Sequence, residues 1–522
     1  MTATRSDLNP GVRRGGGRRL RAAGCAMLPW FVLLPVMALA QVVWEPTPGA
    51  VLDVGGPESW DAESVYIESL LVLPEGPRLW YRGTNDPAAT VDWQIGCAGS
   101  SDFVLWQKTS PEPCFPFGVS DRWDDLSFGA SVTFELESGL FKMWYGGAEE
   151  RTPFEFRIGH ATSPDGVTWR RVGVAPVLSP QALWERTAVD SPRVLRLGDV
   201  YHMWYTGRDF GVRSTWQIGY ATSPNGVDWT RYEGNPVLSG GGPGEPEAVY
   251  IPNVLADPAT GLLEMWFVHR TATRIGLGYA LSLDGVVWTE YEGNPLALTT
   301  LLPVRGALTG AVARQGNTYH MVYNGWWGGE IYRGHHATAA WTLPRPVFEV
   351  AILGDCALVD AAGSTSPTMI AGYRWDFGDG TVLEDAGPCV EHVYSPGTYR
   401  LELRVSDETG ERAAVARDVV VAAAVGPFVR GDCDGDGRAT GSVTDAVFLL
   451  TFSFFGGPSP VCAAACDADG DGRFGGQVTD AIFLLAHSFL GGPPPPPPFP
   501  ECGTSSRPED RELACPVPGA CP

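Results

Sequence analysis

Over the first two-thirds of the chain, apolar positions come in short runs with no helical period, and the runs return in a fixed order. The clearest copy lies between Tyr201 and Thr230. Met203-Trp204-Tyr205-Thr206-Gly207 is followed by Ile218-Gly219-Tyr220-Ala221-Thr222-Ser223, then by the turn Pro224-Asn225-Gly226, then by Val227 and Trp229. The same order holds for Trp144-Tyr145-Gly146-Gly147, Ile158 to Ser163, Pro164-Asp165-Gly166 and Val167-Thr168-Trp169. It holds again for Trp266-Phe267, Leu277 to Ala280, Asp284-Gly285 and Val287-Trp288. More divergent copies flank these, Trp80 to Gly83 with Ile95 to Ala98, and Val322 to Gly325 with Gly334 to Ala337; successive copies lie about 60 residues apart. An apolar pair (Val194-Leu195, Val254-Leu255) precedes the Trp-Tyr run. Each unit is therefore predicted to hold four short strands joined by Gly-rich turns.

Such a unit cannot bury both of its faces alone, so copies must stack around an axis, and five copies predict a five-bladed β-propeller over residues 41–343. Residues that recur in every unit belong to the scaffold. The tryptophans are expected to pack between blades, and the Ser-Pro-Asp/Asn-Gly turns to close hairpins, with Gly supplying the positive φ. After Pro344-Arg345-Pro346 the pattern changes to strict alternation, as in Leu401-Glu402-Leu403-Arg404-Val405. After residue 430 it changes again, to two apolar helical runs, Asp445 to Leu450 and Asp480 to Leu485, each behind an acidic loop. The fold class expected is mainly β: a five-bladed propeller, an immunoglobulin-like β-sandwich at 345–424, and a small α-helical module of paired calcium loops at 430–492. A polyproline spacer, Pro493 to Pro498, and a Cys-rich tail to residue 522 follow.

At 522 residues the chain exceeds one core, in keeping with several domains. Its first 40 residues read as a secretory signal: Arg13, Arg14, Arg18, Arg19 and Arg21, an apolar run from Met27 to Met37, and Ala38-Leu39-Ala40 before Gln41. That run is too short for a membrane span, and nothing later is apolar enough to be one. Removing residues 1–40 would take the net charge from −23 to about −28, which argues against nucleic acid and anionic lipid as partners. Cys25 would leave with the signal. The ten remaining cysteines are expected to pair in an oxidising compartment, Cys97 with Cys114 and Cys356 with Cys389. Cys433, Cys462, Cys466, Cys502, Cys515 and Cys521 have no pairing legible from sequence.

The repeat, with its MWYTG and IGYATSPNGVDWT runs and the linkers Gly234-Asn235-Pro236-Val237-Leu238 and Gly293-Asn294-Pro295-Leu296, resembles the five-bladed glycosidase propellers over roughly residues 44–343. That group includes arabinanases, β-xylosidases, invertase and levansucrase relatives and β-mannoside phosphorylases. The resemblance implies carboxylates from different blades meeting in a central cavity, one protonated while its partner is ionised. A catalytic acid should then be unique to its blade. The blade entries Trp60 to Glu68, Trp123 to Ser131, Trp184 to Pro192 and Gly244 to Pro252 share an acid as Asp61, Asp124, Glu185 and Glu245, which marks that position as structural. The blade-specific acids are Glu63, Glu68, Asp190 and Glu247, and the catalytic candidates drawn from them are Asp190, Glu247 and Glu63. Asp190 stands where other blades carry Tyr66, Phe128 and Tyr250. Arg208-Asp209 could bind sugar hydroxyls or form a loop salt bridge. The histidines show no zinc-ligand spacing.

Trp375-Asp376-Phe377-Gly378-Asp379-Gly380, followed by His392-Val393-Tyr394-Ser395-Pro396-Gly397-Thr398-Tyr399, closely resembles the PKD domain, which implies a spacer or weak binder with Trp375 in its core. Further on, Asp432, Asp434, Asp436 and Arg438 recur as Asp467, Asp469, Asp471 and Arg473, with Gly437 and Gly472 at the sharp turn. Acids at loop positions 1, 3 and 5 suit a hard oxygen-seeking cation, so Ca2+ is the expected cofactor. The duplicated loop-helix resembles a type I dockerin, which implies a cohesin-type partner on a scaffold or cell surface. In both copies the closing acid, Asp445 or Asp480, stands at position 14 of the loop instead of 12. The function expected is that of a secreted modular glycoside hydrolase acting on a polysaccharide or oligosaccharide. The alternative is a non-catalytic secreted or cell-surface propeller that binds glycan or protein.

Overall fold

The computed structural model describes residues 44–86, 93–116, 118, 122–124, 126–135, 137–149, 155–209, 215–240, 247–271, 275–296, 308–327, 331–421, 427–439, 441, 443–476, 478–505, 507, 510, 513 and 515. The expected signal peptide and Glu245 lie outside these residues. Among them are five four-stranded antiparallel sheets in the first two-thirds of the chain. Strand β1 is Glu45–Pro46. Sheet I contains β2 (Ser64–Leu73), β3 (Gly76–Thr84), β4 (Gln94–Gly99) and β5 (Gln107–Lys108). Sheet II contains β6 (Leu126–Glu135), β7 (Leu140–Ala148), β8 (Arg157–Ser163) and β9 (Arg170–Arg171). Sheet III contains β10 (Ala188–Leu197), β11 (Val200–Asp209), β12 (Thr215–Ser223) and β13 (Thr230–Arg231). Sheet IV contains β14 (Ala248–Ala256), β15 (Leu263–Arg270), β16 (Ile275–Ser282) and β17 (Thr289–Glu290). Sheet V contains β18 (Leu308–Gln315), β19 (Thr318–Trp327) and β20 (Ile331–Ala340), with β1 supplying its fourth strand beside β20. The first strands touch in a closed cycle, β2 to β6 to β10 to β14 to β18 and back to β2.

The recurring residues are what join the sheets. Trp80 Nε1 donates to Gly166 O at 2.9 Å, Trp144 Nε1 to Gly226 O at 2.8 Å and Trp204 Nε1 to Gly285 O at 2.8 Å, each reaching the turn of the next sheet. Those turns need glycine. Gly226 sits at φ +79, and a Cβ there would come within 2.8 Å of the Trp144 ring. The recurring acid is structural too. Asp61, Asp124 and Glu185 accept from Tyr81, Tyr145 and Tyr205 at 2.7 to 2.9 Å and pair with Lys108, Arg171 and Arg231. A single side chain near the axis links each inner strand to its neighbour. Ser69 Oγ accepts from Val132 N, Ser131 Oγ from Val194 N, and Asn324 Oδ1 closes the ring by accepting from Ile67 N at 2.6 Å.

The sandwich is formed by a three-stranded sheet of β21 (Glu349–Leu353), β22 (Cys356–Asp360) and β25 (Cys389–Val393), and a four-stranded one of β23 (Ile370–Asp376), β24 (Val382–Ala386), β26 (Gly397–Asp407) and β27 (Arg412–Val421). Trp375 is fully buried. This domain is not a detached spacer: one apolar core runs from Trp266, Tyr279 and Tyr319 through Trp341 and Leu343 to Trp375 and Leu403. Arg345 is the polar bolt in that junction. It pairs with Asp257 and donates to Tyr319 Oη at 2.6 Å, while Tyr319 donates to Glu264 at 2.7 Å. Arg345→Met takes the cation away from buried Glu264 and leaves Asp257 to Arg314 alone, and is expected to cost about 1–3 kcal/mol. Calorimetry should show a lowered first transition; an unchanged melting profile would contradict the bolt.

The last module contains α1 (Thr444–Phe455), α2 (Ala463–Cys466) and α3 (Thr479–Leu490). Helices α1 and α3 end alike, on left-handed Gly456 and Gly491 whose N–H groups return to Thr451 O and Ala486 O. The polyproline run is folded back instead of standing off as a spacer. Fully buried Arg430 gathers the carbonyls of Pro496, Ala464 and Asp467, its backbone N–H donates to Pro498 O at 2.7 Å, and its guanidinium pairs with Asp510. Cys462 and Cys515 are disulfide-linked, and Cys502 is also disulfide-bonded. The two expected pairs in the preceding domains are not formed. The β22–β25 register sets Cys356 opposite Val393 and Cys389 opposite Asp360. Four residues along a strand separate the two thiols, about 13 Å and far beyond disulfide reach. Cys97 and Cys114 share one apolar cluster as free thiols, and Cys433 and Cys466 are free and buried. No helix among the described residues is long and apolar enough to cross a membrane.

Candidate functional site

The inner strand of each sheet breaks its register at the same place. Tyr66, Phe128, Asp190 and Tyr250 occupy one equivalent position, opposite Arg82, Gly146, Thr206 and Val268; the pairing slips directly after Phe128, Asp190 and Tyr250, and one residue later, after Ile67, in sheet I. Such bulges re-aim side chains and cluster beside active sites. Here they force positive φ at Gly129 (61), Ser191 (47) and Ile251 (53). A β-branched residue in that region is a true outlier, costing on the order of 1–3 kcal/mol. The bulged segments line a narrow axial cavity, with Glu68, Ala130, Pro192, Pro252 and Gly310 entering from the five sheets.

Asp190 is 0% exposed. Its carboxylate takes a two-pronged pair from Arg208, at 2.7 Å from Nε and 2.9 Å from the terminal nitrogen, and Ser191 Oγ donates to it at 2.8 Å. Glu68 is held similarly by Arg82 Nε at 2.9 Å and by Ala130 N at 3.3 Å. Burial pushes the Glu68 carboxyl up to about 7; Arg82 and the Ala130 N–H oppose this, and the nearby Asp190 charge reinforces it. A Cβ on Gly129 would lie 3.5 Å from Ser191 Cα and 3.8 Å from Glu68 Oε2, so the two acidic segments flank one glycine.

Aromatic rings surround the pairs. Arg208 lies 4.1 Å over Trp216, which meets Tyr250 edge-on at 4.4 Å; Arg82 lies 4.2 Å over Tyr66 and 4.9 Å over Trp93. Of the sequence candidates, Asp190 alone lies within an inner strand, directly before the cavity-lining Ser191 and near Glu68. Glu63 and Glu247 each stand one residue ahead of an inner strand, β2 and β14, bonded through their backbones to Thr84 O and Arg270 O; neither lines the axial cavity, and Glu247 is exposed. Glu68 takes the place beside Asp190 that those two were expected to fill. A signal existed in the sequence, since its counterparts in the other sheets carry no charge. Arg208 serves Asp190, whereas Asp209 pairs with Arg186 at 2.9 Å.

The acidic loops form a second site. Asp432, Asp434 and Asp445 offer carboxylate oxygens within 4.8 Å of one another, and Asp467, Asp469 and Asp480 repeat the arrangement. Asp445 and Asp480, despite standing at position 14, fold back to accept from Cys433 N at 2.7 Å and Ala468 N at 2.9 Å. Burial, then the neighbouring acids, pushes both carboxyls up to about 7. Buried Asp432 Oδ1, Asp467 Oδ1 and Asp480 Oδ2 have no hydrogen-bond partner among the described residues. Clustered, buried, acceptor-only oxygens fit a hard cation such as Ca2+. Asp436 and Asp471 stand outside the trios, accepting from Arg438 N at 2.8 Å and Arg473 N at 2.9 Å.

Comparison with known proteins gives two family matches. Residues 131–296 match beta-1,4-mannooligosaccharide phosphorylase, and residues 349–422 match the PKD domain. A 1,2-beta-oligomannan phosphorylase from Thermoanaerobacter sp. is 27% identical over 134 residues, 24% of this chain and 44% of the relative. An uncharacterized protein of Mycobacterium tuberculosis is 28% identical over 185 residues, 34% of this chain and 58% of the relative. The chain thus spans about half the length of the curated relatives it matches. Among solved structures, a glycosyl hydrolase from Bacteroides ovatus aligns with a TM-score of 0.45 at 13% identity, covering 57% of this chain and 94% of its own. Residues 349–422 form a PKD domain, and residues 131–296 have features of the mannooligosaccharide phosphorylase family.

Proposed function

We propose that the five sheets are the blades of a propeller and that it breaks β-mannosidic bonds of an oligosaccharide or polysaccharide at the axial carboxyl pair. The observation that supports this is that Glu68 and Asp190, each with its own arginine, come together across Gly129 on the strained inner strands, with Asp190 inside the segment that matches a glycan-cleaving family. The two acids sit in different surroundings, as paired acid-base chemistry requires. Glu68, held near neutrality, gives its proton to the departing glycosidic oxygen, and the Asp190 carboxylate, oriented by Arg208, assists attack on the anomeric carbon. The attacking group is water in a hydrolase and inorganic phosphate in a phosphorylase. Glu63 and Glu247 remain rim acids for contact with sugar hydroxyls.

The test is turnover of β-1,4- and β-1,2-mannooligosaccharides by the full chain, with and without phosphate, beside arabinan, xylan and fructan. A sugar 1-phosphate product marks phosphorolysis and a free reducing end marks hydrolysis. No turnover of any glycan would leave the second reading, a glycan-binding propeller, which the complete burial of Asp190 favours. If Glu68 is the proton donor, activity falls as pH rises through about 7, and Glu68→Gln removes that limb along with about 10²-fold or more of the rate. A wild-type pH profile in the variant would exclude Glu68.

The acidic loops are read as two Ca2+ sites of a dockerin-like module that docks the enzyme to a cohesin-type protein outside the cell. Pull-down with a cohesin in calcium and in chelator tests the docking, and no calcium-dependent capture would remove it. Secretion through residues 1–40 is tested by the mature N-terminus, expected at Gln41.

A further inference from the structure

Directly after the bulge, the inner strands carry Ser69, Ser131, Arg193, Asn253 and Ala311 at one equivalent position, opposite Trp80, Trp144, Trp204, Trp266 and Val322. The position's structural job is to link neighbouring strands, and it needs no charge: Ser69 and Ser131 perform it with one hydroxyl each. Arg193 performs it with Nε alone, donating to Val254 O at 3.2 Å. Among the described residues the rest of its guanidinium has no carboxylate or other acceptor, although the residue is only 5% exposed and lines the axial cavity. Arg82 and Arg208 are committed to Glu68 and Asp190, so neither acid is left over to neutralise it. Burial pulls the Arg193 guanidinium down to about 10, and it therefore remains a cation at neutral pH.

A buried cation with unused donors requires a counter-charge. The cavity has room for a single water-sized guest. We propose that Arg193 holds a small monovalent anion, of the chloride class, in the axial cavity, and that this ion fixes the bulge from Asp190 to Arg193. Asn253 completes the cradle through its amide: its Nδ2 reaches Gly310 O at 3.4 Å, leaving a second N–H to donate. The site would hold Asp190 in place from three residues away without touching substrate, so Arg193 is a positioning residue. The inference does not depend on the reaction proposed for the propeller.

The test uses the full chain with calcium held constant, in gluconate buffer titrated with chloride or bromide at fixed ionic strength. A saturable rise in melting temperature of a few degrees is expected for both halides, and anomalous scattering from bromide-grown crystals should place one ion against Arg193. Arg193→Met should fold, as judged by its circular dichroism, and lose the halide response; Arg193→Lys should retain a weakened one. A halide response equal in wild type and Arg193→Met, no response in wild type, or bromide absent from the axis would each overturn the proposal. The remaining outcome, a water in place of the ion, gives no anomalous peak and counts against it as well.

Discussion

Asp190→Asn is expected to lower glycan turnover by ~10²–10⁴-fold, the range in which positioned acid-base groups act, with little change in substrate affinity. The substitution keeps the shape of the side chain and its contact with Ser191, but it removes the negative charge that Arg208 addresses through two nitrogens. Arg208 is then a cation pressed on Trp216 with no anion beside it, so part of the effect will appear as lost stability. Two controls separate the contributions. Glu185→Gln disturbs an equally buried acid just ahead of the same sheet, bonded to Tyr205 and Arg231, and should lower the melting temperature while leaving kcat of the folded fraction within a few-fold. Glu247→Gln alters an exposed rim acid and should act mainly on KM. If Asp190→Asn and Glu185→Gln reduce activity equally, and in proportion to their loss of folded protein, Asp190 belongs to the scaffold and the axial site is not catalytic.

The contrast between these two acids also shows what the sequence made legible. Glu185 recurs in its sister sheets as Asp61 and Asp124, and recurrence marks a residue that every sheet needs, here a seat for a tyrosine hydroxyl and a cation. Asp190 is found by difference, in place of Tyr66, Phe128 and Tyr250, and the strand registers confirm that alignment. Glu68 was legible as an acid without a charged counterpart in the other sheets, but its direction depends on a bulge that the residues from Ser64 to Leu73 do not announce. The cysteines failed for a related reason. Cys356 and Cys389 share a domain, but pairing depends on register, and the β22–β25 ladder sets them four residues apart. Pro493 to Pro498 has the composition of a stiff spacer, yet composition does not reveal that a buried arginine will collect its carbonyls. Periodic features were readable from the sequence, and features that hang on one non-repeated contact were not.

Calcium removal should produce the second large effect, the loss of the module at 430–492. Asp432, Asp445, Asp467 and Asp480 are all at most 5% exposed and face other acids, which is why their carboxyls are driven upward in the metal-free fold. With a divalent ion in each trio, the orphaned oxygens gain a partner and the like charges are neutralised; without it, the loops repel and the helices they launch lose their anchors. Binding to the folded form alone stabilises it by about 4 kcal/mol per site when calcium exceeds its Kd by a thousandfold. Chelation should therefore lower the melting temperature of the C-terminal transition, reduce helical ellipticity from α1 and α3, and expose the segment to protease. The earlier transition of the sheets should stay in place. Asp445→Ala and Asp480→Ala should each abolish one of two binding events in calorimetric titration, and the symmetry of the two loops predicts similar heats for the pair. Retention of both heats after either substitution would remove the position-14 acids from the ligand set. A melting profile indifferent to calcium and to chelator would mean that the buried acids are neutralised by protons instead.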